Sequence, residues 1–407
     1  MVYQPPTGGR DLLPLDVAQQ RWIEHHLEQT FQRWGYHEIV TPTLERLDTL
    51  MAGGAVRPET VMQLQDTESD WLGLRPELTA SIARAAVTRL AGTPLPQRLY
   101  YKANVFRRAS TKGLNRRQEF FQAGVELIGG SGLRADAEIL FLLEDCLDTL
   151  HLQAWSVLLG EAGLTQCLLN TFPLAWQPQI RHHLAQLDRV ALLELPLPDE
   201  IRQKVLDLLN MRGPADQVMA KLQAWPLDQA GNARLAALAQ LLGIIGDRLK
   251  IMLDLSLIQT FDYYTGIVWD VVAYAEGDLR VVAQGGRYDQ LLGTYSPSAE
   301  SQPGIGFVFN LENLQQSLAS QGQLPQQPPR SQWLVVPTSE PALKASFAHA
   351  HTLRIEGDVR AEVALAPLSP DEMRDYAQRQ QIPYIAWVNE AGQPTVEIVS
   401  ERENVPC

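Results

Sequence analysis

The feature that most limits the possible folds of this chain is a pair of strand-like runs in its first third. They are RLYYKANVFRR at 98–108 and EFFQAGVELIGG at 119–130, and the polar stretch ASTKGLN lies between them. Two such runs joined by a polar loop that contains glycine are typical of an antiparallel hairpin. The sequence therefore predicts an antiparallel sheet in this part of the protein.

Residues alternate in character along the second of these runs. Because successive side chains of a strand point to opposite faces, one face is apolar and the other carries two polar groups around a glycine. The apolar set is Phe121, Ala123, Val125 and Leu127, and the opposite set is Gln122, Gly124 and Glu126. Taken alone, this alternation favours a sheet with one solvated face, although the polar set would also suit the floor of a ligand site.

Helical periodicity is clear near the N-terminus and in the middle of the chain. The first helix follows Asp16, the expected N-cap, and Gly35 supplies its stop. Further helices are predicted over 74–90 and 134–150, and residues 165–250 are mainly helical and rich in Leu and Ala. We expect this last region to be a helical insertion in a larger domain.

A Pro/Gln-rich stretch, QGQLPQQPPR at 321–330, is the best candidate for a domain boundary. Beyond it, the buried-type strands WLVVP, VRAEVAL and PYIAWV alternate with helical stretches. That alternation is typical of a small α/β domain with a mainly parallel sheet. We therefore predict a core over 1–320, a linker over 321–330 and a small α/β domain over 331–407.

Charge and composition argue against several classes of protein. The 407 residues carry a formal charge of −13, which disfavours a surface that coats nucleic acid. Cys146, Cys167 and Cys407 show no CxxC pair and no histidine at metal-ligand spacing. No apolar run reaches the length of a membrane span, and the N-terminus lacks the pattern of a secretory signal. We expect reduced thiols, no metal and a cytoplasmic protein.

Seven segments, taken in order, resemble the catalytic core of class II histidyl-tRNA synthetases. They are GYHEIVTPTLE (35–45), LRPELTASIARA (74–85), VFRR (105–108), EFFQAGVELIG (119–129), FDYYTGIVWD (261–270), GGRYDQLLG (285–293) and GIGFVFNLENL (304–314). The resemblance covers about residues 5–320, and the tail resembles a reduced anticodon-binding domain of that family. It implies an α+β fold, with an antiparallel sheet flanked by helices and a helical insertion, that dimerises around Pro42.

The resemblance also implies a histidine pocket. Glu77, with Gln122 beside it, resembles the family's group for the α-ammonium of the ligand, and Thr79 would supply a hydroxyl. Glu126 and Tyr264 resemble the pair that holds the imidazole, whose nitrogens are one donor and one acceptor when neutral. The whole implied set is Glu77, Thr79, Arg107, Gln122, Glu126, Tyr263 and Tyr264.

Further residues are expected at the edges of this pocket. Tyr263 would support the strand that carries Tyr264, and Arg107 is a candidate counter-charge for the carboxylate of the ligand. Gly285 and Gly286 would let the backbone approach the ligand closely.

Four positions depart from the synthetase pattern. Gln259 and Asn313 stand where the pattern has arginines, Ala109 stands in place of an acid, and Leu78 in place of a glycine. The loss of one electrostatic stabiliser typically costs about 10²–10³ in rate, so we expect adenylation to be negligible. In the alternative, the alignment is shifted and other arginines serve instead. These candidates are Arg108, Arg116, Arg117 and Arg287.

A chain that keeps the histidine pocket and alters the ATP side resembles the family of regulatory subunits of ATP phosphoribosyltransferase. The resemblance implies no catalytic residue, no cofactor, and assembly with the short-form catalytic subunit as a hetero-octamer in the first step of histidine biosynthesis. It also implies feedback regulation by histidine as effector, without tRNA or a membrane. Three alternatives stay open: an active histidyl-tRNA synthetase, a relic pocket with histidine acting on the catalytic subunit, and a scaffold without a ligand.

Overall fold

The computed structural model describes residues 3–54, 56–66, 70–108, 117–257 and 263–399. Ala109, Arg116 and Gln259, which the sequence singled out, lie outside these described residues, as does the whole of the expected hairpin loop. The chain divides into two units, Met1–Pro325 and Gln326–Cys407, and the division lies within the Pro/Gln-rich stretch.

The described residues form strands and helices in the following order. The strands are β1 (His37–Glu38), β2 (Leu44–Arg46), β3 (Met62–Gln65), β4 (Trp71–Leu74), β5 (Gln97–Phe106), β6 (Glu119–Ile128), β7 (Trp155–Glu161), β8 (Arg212–Pro214), β9 (Ile251–Asp254), β10 (Ile267–Ala275), β11 (Asp278–Arg287), β12 (Gly304–Asn310), β13 (Trp333–Pro337), β14 (Ala361–Val363), β15 (Tyr384–Val388) and β16 (Pro394–Ile398). The helices are α1 (Pro14–Arg33), α2 (Leu47–Ala52), α3 (Thr79–Thr88), α4 (Gly132–Thr149), α5 (Ala162–Leu169), α6 (Gln177–Ala185), α7 (Arg189–Glu194), α8 (Asp199–Leu209), α9 (Ala215–Gln223), α10 (Gln229–Ile245), α11 (Leu291–Tyr295), α12 (Leu311–Ser320), α13 (Leu343–Glu356) and α14 (Pro370–Gln380). None of the helices described combines the length and the apolar composition that crossing a membrane requires.

A large, mainly antiparallel sheet forms the centre of the first unit. Its strand order is β1-β5-β6-β12-β11-β10-β7-β9-β8, and neighbours from β5 through β7 run antiparallel. The pairs β1–β5 and β7–β9, nearer its two ends, are parallel. Strands β5 and β6 form the expected antiparallel pair, from Gln97 opposite Ile128 to Phe106 opposite Glu119. A smaller antiparallel sheet has the order β2-β4-β3.

Both faces of β6 are buried. The prediction of one solvated face, which the alternation of its residues favours, is therefore wrong. On one face Val125 and Leu127 join the main hydrophobic core, against α1 and α4. On the other face Gln122 and Glu126 are 7% and 2% exposed. The reason is tertiary, because α3 packs against this second face of the sheet. A polar set that is buried in this way needs partners.

Two helices begin at residues other than those the sequence predicts. Helix α1 begins at Pro14, and Asp16 lies in its first turn, where it accepts a hydrogen bond from the backbone N–H before the helix (3.0 Å). Pro14 takes the first position because it has no N–H that needs a partner. Helix α3 begins at Thr79 rather than 74, since Arg75 precedes Pro76 and a residue before proline is disfavoured in helical conformation.

Helices α5 to α10, with the short strand β8, form the expected helical insertion. Many of its leucines, Leu168, Leu208 and Leu241 among them, belong to the same hydrophobic core as the large sheet. The insertion leaves the sheet after β7 and returns through β9, which pairs in parallel with β7. Its first and last helices, α5 and α10, pack against each other, so both ends of the insertion lie beside the sheet.

The second unit contains a sheet in the order β14-β13-β15-β16. Strand β13 pairs in parallel with both β14 and β15, as expected for an α/β domain. Strand β16 is an antiparallel edge strand that the sequence did not predict. Its residues, PTVEI, are mostly exposed and lack the continuous apolar character that marked the other strands of this unit.

Candidate functional site

A cavity of about 140 Å³ lies between α3 and the second face of the large sheet. The residues from the predicted pocket that line it are Glu77, Thr79, Arg107, Gln122, Tyr263 and Tyr264. They come from the start of α3, from the β5–β6 hairpin and from the segment before β10. These parts are distant in the chain, and the pairing of β6 with β12, β12 with β11 and β11 with β10 brings them together.

Glu77 precedes α3 and is 8% exposed. Its Oε1 accepts a hydrogen bond from the Ala80 N–H (2.9 Å), one of the donors that a helix start leaves without an intrahelical partner. Its Oε2 is buried and has no hydrogen-bond partner among the described residues. Burial raises the pKa of Glu77, and the hydrogen bond from the Ala80 N–H opposes that rise more than the positive charge of Arg107 does. A buried carboxylate oxygen of this kind suits a ligand that brings an N–H donor.

Arg107 follows β5 and lines the same cavity. Its Nε donates to the Pro76 carbonyl oxygen (3.0 Å), and its guanidinium carbon lies 5.8 Å from the centre of the Phe120 ring. Partial desolvation of its guanidinium lowers the pKa of Arg107, and the charge of Glu77 opposes that change. Among the described cavity residues the positive charge belongs to Arg107, so it is the candidate contact for an anionic group.

Glu126 lies one hydrogen bond away from the cavity. Its Oε1 accepts from the Thr79 hydroxyl (2.8 Å), and its Oε2 accepts from the Tyr288 hydroxyl. Thr79 lines the cavity, whereas Glu126 does not. Burial raises the pKa of Glu126 to about 8, against the opposing effect of its two hydroxyl donors. A ligand in this cavity would therefore meet the Thr79 hydroxyl, with Glu126 behind it.

Tyr263 and Tyr264 precede β10 and pack edge to face, with ring centres 4.8 Å apart. Burial raises the pKa of both phenols, so both stay protonated and can donate hydrogen bonds at neutral pH. Gly286 lies beside the Tyr264 ring, and a side chain at 286 would overlap it. The glycine therefore makes room for a protein ring, rather than for the close approach of a ligand that the sequence suggested.

Sequence reasoning missed two tyrosines of the site. Tyr101 lines the cavity and lies directly opposite Gly124 in the β5–β6 pairing, so it shares the face that carries Gln122. The hairpin register, had it been worked out, would have indicated Tyr101. Tyr288 follows β11 and binds Glu126 from outside the cavity, a contact for which periodicity offers no signal.

Among the described residues, the part of the cavity wall around Asn313 carries no charge. The residues there are Val281, Ala283, Val308, Asn310 and Asn313. Asn313, which stands where the synthetase pattern has an arginine, donates from Nδ2 to the Val281 carbonyl (2.8 Å). Its backbone N–H is bound by the Asn310 side chain (2.9 Å). The Asn313 side chain therefore joins α12 to β11.

Two arginines that a shifted alignment would use are engaged away from the cavity. Arg287 forms ion pairs with Asp136 (2.6 Å) and Asp289 (3.0 Å). Arg117 lies 3.4 Å from Glu312. Neither arginine lines the cavity in the part of the chain that the structure describes.

Comparison with known proteins relates these features to a family. The family model described as histidyl-tRNA synthetase matches residues 8–314. The chain is 58% identical over 402 residues to the ATP phosphoribosyltransferase regulatory subunit of Cyanothece sp. (strain PCC 7425), covering 98% of this chain and 100% of that protein. It is 55% identical over 405 residues to the protein of the same name from Thermosynechococcus vestitus, covering 98% of each chain.

Solved structures share the fold. An ATP phosphoribosyltransferase regulatory subunit/histidyl-tRNA synthetase from Bacillus halodurans C matches with a TM-score of 0.81 at 26% identity, covering 96% of this chain and 99% of that chain. Histidyl-tRNA synthetase from Nostoc sp. PCC 7120 matches with a TM-score of 0.78 at 19% identity over 97% of each chain, which shows the fold alone. The class II synthetase-like α+β fold is thus confirmed. Since the full-length relatives are regulatory rather than catalytic chains, this protein belongs to the family of ATP phosphoribosyltransferase regulatory subunits.

Proposed function

We propose that this chain assembles with the short-form catalytic subunit of ATP phosphoribosyltransferase and binds free histidine as a feedback effector. The observation that carries the proposal is that two parts of one cavity wall differ in charge. On one part of its wall, buried Glu77 keeps an unpartnered carboxylate oxygen among the described residues. On another part, Asn313 offers no charge where a phosphate would need one. Such a cavity suits an amino acid better than an aminoacyl-adenylate.

Histidine matches the groups around the cavity. Its α-ammonium would donate to Oε2 of Glu77, with the Gln122 amide beside it, and Arg107 would balance its carboxylate. Its imidazole has one donor and one acceptor nitrogen when neutral, so the Tyr264 phenol and the Thr79–Glu126 pair can serve both. Glu77, Gln122 and Glu126 are buried, and a ligand would give Oε2 of Glu77 the partner that it lacks among the described residues.

The same wall argues against adenylation. Transfer at the α-phosphate develops negative charge that fixed cations or a metal must stabilise. The amide of Asn313 carries no net charge and already donates to the Val281 carbonyl. We therefore propose that the chain binds histidine without activating it and has no role with tRNA.

The proposed assembly, in the cytoplasm, includes a dimer of this chain around Pro42. Support comes from apolar side chains on the surface near that segment. Val40 is 83% exposed, and Leu44 and Leu64, on one face of the small β2-β4-β3 sheet, are each about half exposed. Exposed apolar groups of this kind suit coverage by a second copy. A hetero-octamer with the catalytic subunit is the expected complete assembly.

Glu77→Gln should weaken histidine binding roughly 10- to 100-fold, because a buried hydrogen bond between charged groups contributes about 1.5–3 kcal/mol. Calorimetry on the full-length chain would measure this. Tyr264→Phe removes one phenol donor and should weaken binding by a smaller factor. Glu194→Gln makes the same chemical change on an exposed residue of α7 and should bind as the parent does. Unchanged affinity in Glu77→Gln would reject this binding site, and no binding by the parent chain would favour a scaffold or a relic pocket.

Reconstitution with the short-form catalytic subunit tests the rest of the proposal. We expect the two chains to co-purify, the complex to be more active than the catalytic subunit alone, and histidine to inhibit the complex. The purified chain alone should show no histidine-dependent exchange between ATP and pyrophosphate. Robust exchange would instead identify an active histidyl-tRNA synthetase, and failure to co-purify would remove the partner from the proposal.

A further inference from the structure

Residues 264–266 form a short segment between two cavities. Tyr264 lines the cavity described above, here called the effector cavity. The next two residues, Thr265 and Gly266, line a second cavity of about 390 Å³ between α4, α10 and the start of β10. One stretch of backbone therefore forms part of the wall of both cavities. A displacement of this backbone at one cavity also changes the wall of the other.

The backbone of this segment is bound to both ends of the helical insertion. The Thr265 carbonyl accepts a hydrogen bond from Nη1 of Arg234 in α10 (3.1 Å). The Gly266 carbonyl accepts one from the N–H of Ala162, the first residue of α5 (2.8 Å). Nη1 of Arg234 also lies 2.8 Å from Oε1 of Glu161. Arg234 thus connects α10, the end of β7 and the residue that follows Tyr264.

The opposite side of the segment is bound to the sheet. The Thr265 N–H donates to the Arg287 carbonyl (2.8 Å), and the Thr265 hydroxyl accepts from the Asp289 N–H (3.0 Å). Arg287 is itself held by Asp136 of α4. Thr265 therefore has a fixed partner on the sheet and a partner on the insertion that reaches it through one long side chain.

The second cavity leaves space beside this connection. Leu238 and Leu241 of α10 and Leu133 of α4 line it together with the Arg234 and Arg287 side chains. Packed surfaces shift between discrete arrangements more readily than they deform continuously. Unfilled volume at the joint gives α10 room for such a shift without a clash with the sheet.

We propose that Arg234 is a positioning residue for the effector cavity, and that occupation of this cavity stabilises the insertion where α5 and α10 join the core. This proposal rests on the proposed function, because it takes histidine as the ligand that occupies the effector cavity. A ligand against Tyr264 restrains Thr265 and Gly266, and these carbonyls hold Arg234 and Ala162. Because coupling between two sites is reciprocal, a restraint on the insertion must raise histidine affinity by the same factor.

Hydrogen exchange on the full-length chain with and without saturating histidine tests the coupling. We expect slower exchange at the start of α5 and along α10, in addition to α3 and the segment before β10. A coupling free energy in the usual range corresponds to a change of about fivefold or more. Protection confined to α3 and to the cavity walls would overturn the proposal while leaving histidine binding intact.

Variants separate positioning from stability. Arg234→Met should weaken histidine binding about tenfold, and Arg234→Lys should recover part of that loss. Gly163→Ala leaves every charge in place but puts a methyl group where the Arg234 guanidinium lies, so it should weaken binding as well. If Arg234→Met does not fold, the double variant Arg234→Met/Glu161→Gln replaces it, because it does not leave the buried Glu161 carboxylate without its ion-pair partner. Arg189→Met changes an exposed arginine of α7 and serves as the matched control.

The outcomes distinguish this inference from the proposed function. If the parent chain fails to bind histidine, the effector role falls, and the positioning role falls with it. If the parent binds, and Arg234→Met and Gly163→Ala bind equally well, Arg234 is structural and this inference alone is wrong. A purely structural role would lower the free energy of unfolding and leave the affinity of the folded protein unchanged.

Discussion

Replacing Arg287 with methionine should lower the free energy of unfolding by about 3–5 kcal/mol, since removing one partner of a buried ion pair leaves the other uncompensated. Arg287 is 5% exposed. Its Nε donates to Oδ1 of Asp136 (2.8 Å), and its Nη1 donates to Asp289 (3.0 Å). These bonds tie β11 to the first turns of α4. Burial raises the pKa of Asp136, and Arg287 opposes that rise. Without Arg287, the largely buried Asp136 carboxylate loses the positive charge that stabilises its ionised form.

Urea unfolding at two pH values, followed through the transition of the first unit, measures the change in the free energy of unfolding. Without Arg287, the folded-state pKa of Asp136 rises further above its unfolded value, so the folded protein binds the extra proton. The loss of stability should therefore be larger at pH 8 than at pH 5. Adding Asp136→Asn should restore part of the stability, and Arg189→Met should change it by no more than about 0.5 kcal/mol. A loss below about 1 kcal/mol in Arg287→Met would contradict the buried-pair interpretation.

Replacing Glu126 with glutamine should stabilise the protein increasingly as the pH rises from about 5 to 8. Burial raises the pKa of Glu126 to about 8 from an ordinary value of 4.5. Between these values the folded state holds a proton that the unfolded state releases, so the parent loses stability as the pH rises. One pKa unit corresponds to about 1.4 kcal/mol, and the whole shift therefore to roughly 4–5 kcal/mol. Glutamine does not titrate and escapes this loss.

The measurement is the difference in the free energy of unfolding between Glu126→Gln and the parent at several pH values. Most other titrating groups are common to both proteins and cancel in the difference. At pH 5 the variant should be equal or less stable, because the amide NH2 that replaces one carboxyl oxygen cannot accept a hydrogen bond from the Thr79 or Tyr288 hydroxyl. Glu194→Gln, on an exposed residue, makes the same chemical change and serves as the matched control. A difference that does not vary with pH in Glu126→Gln would show that the Glu126 carboxyl is already ionised at neutral pH.

Local pattern predicted most of the secondary structure, and the family resemblance implied much of the candidate cavity. The hairpin of β5 and β6, helix α1 and the helical insertion follow from period-two and helical spacing together with turn residues. Six residues that the resemblance implied, from Glu77 to Tyr264, line one cavity. They could be named because motif order assigns each to its element, and each element keeps its place in the sheet.

Other features depend on contacts between distant parts of the chain. The alternation in β6 could not reveal that α3 covers its polar face, because burial depends on what packs there. The spacing of Thr79 and Glu126 could not show that their side chains bond to each other, which places Glu126 behind the cavity wall. The role of Gly286 was misjudged for a similar reason, since its neighbour in space is the Tyr264 ring.

The sequence by itself determined the fold class, the family and the identity of the polar groups around the cavity. Each of these follows from the types of residue and their order, which can be read from the sequence directly. The tertiary structure alone decided which of these groups are available to a ligand. The Oε2 of Glu77 has no partner among the described residues, whereas Glu126 is bound by Thr79 and Tyr288 and Asn313 is bound to Val281. Hydrogen-bond partners and burial are set by the packing of distant segments, and they decide which buried polar group is left to bind.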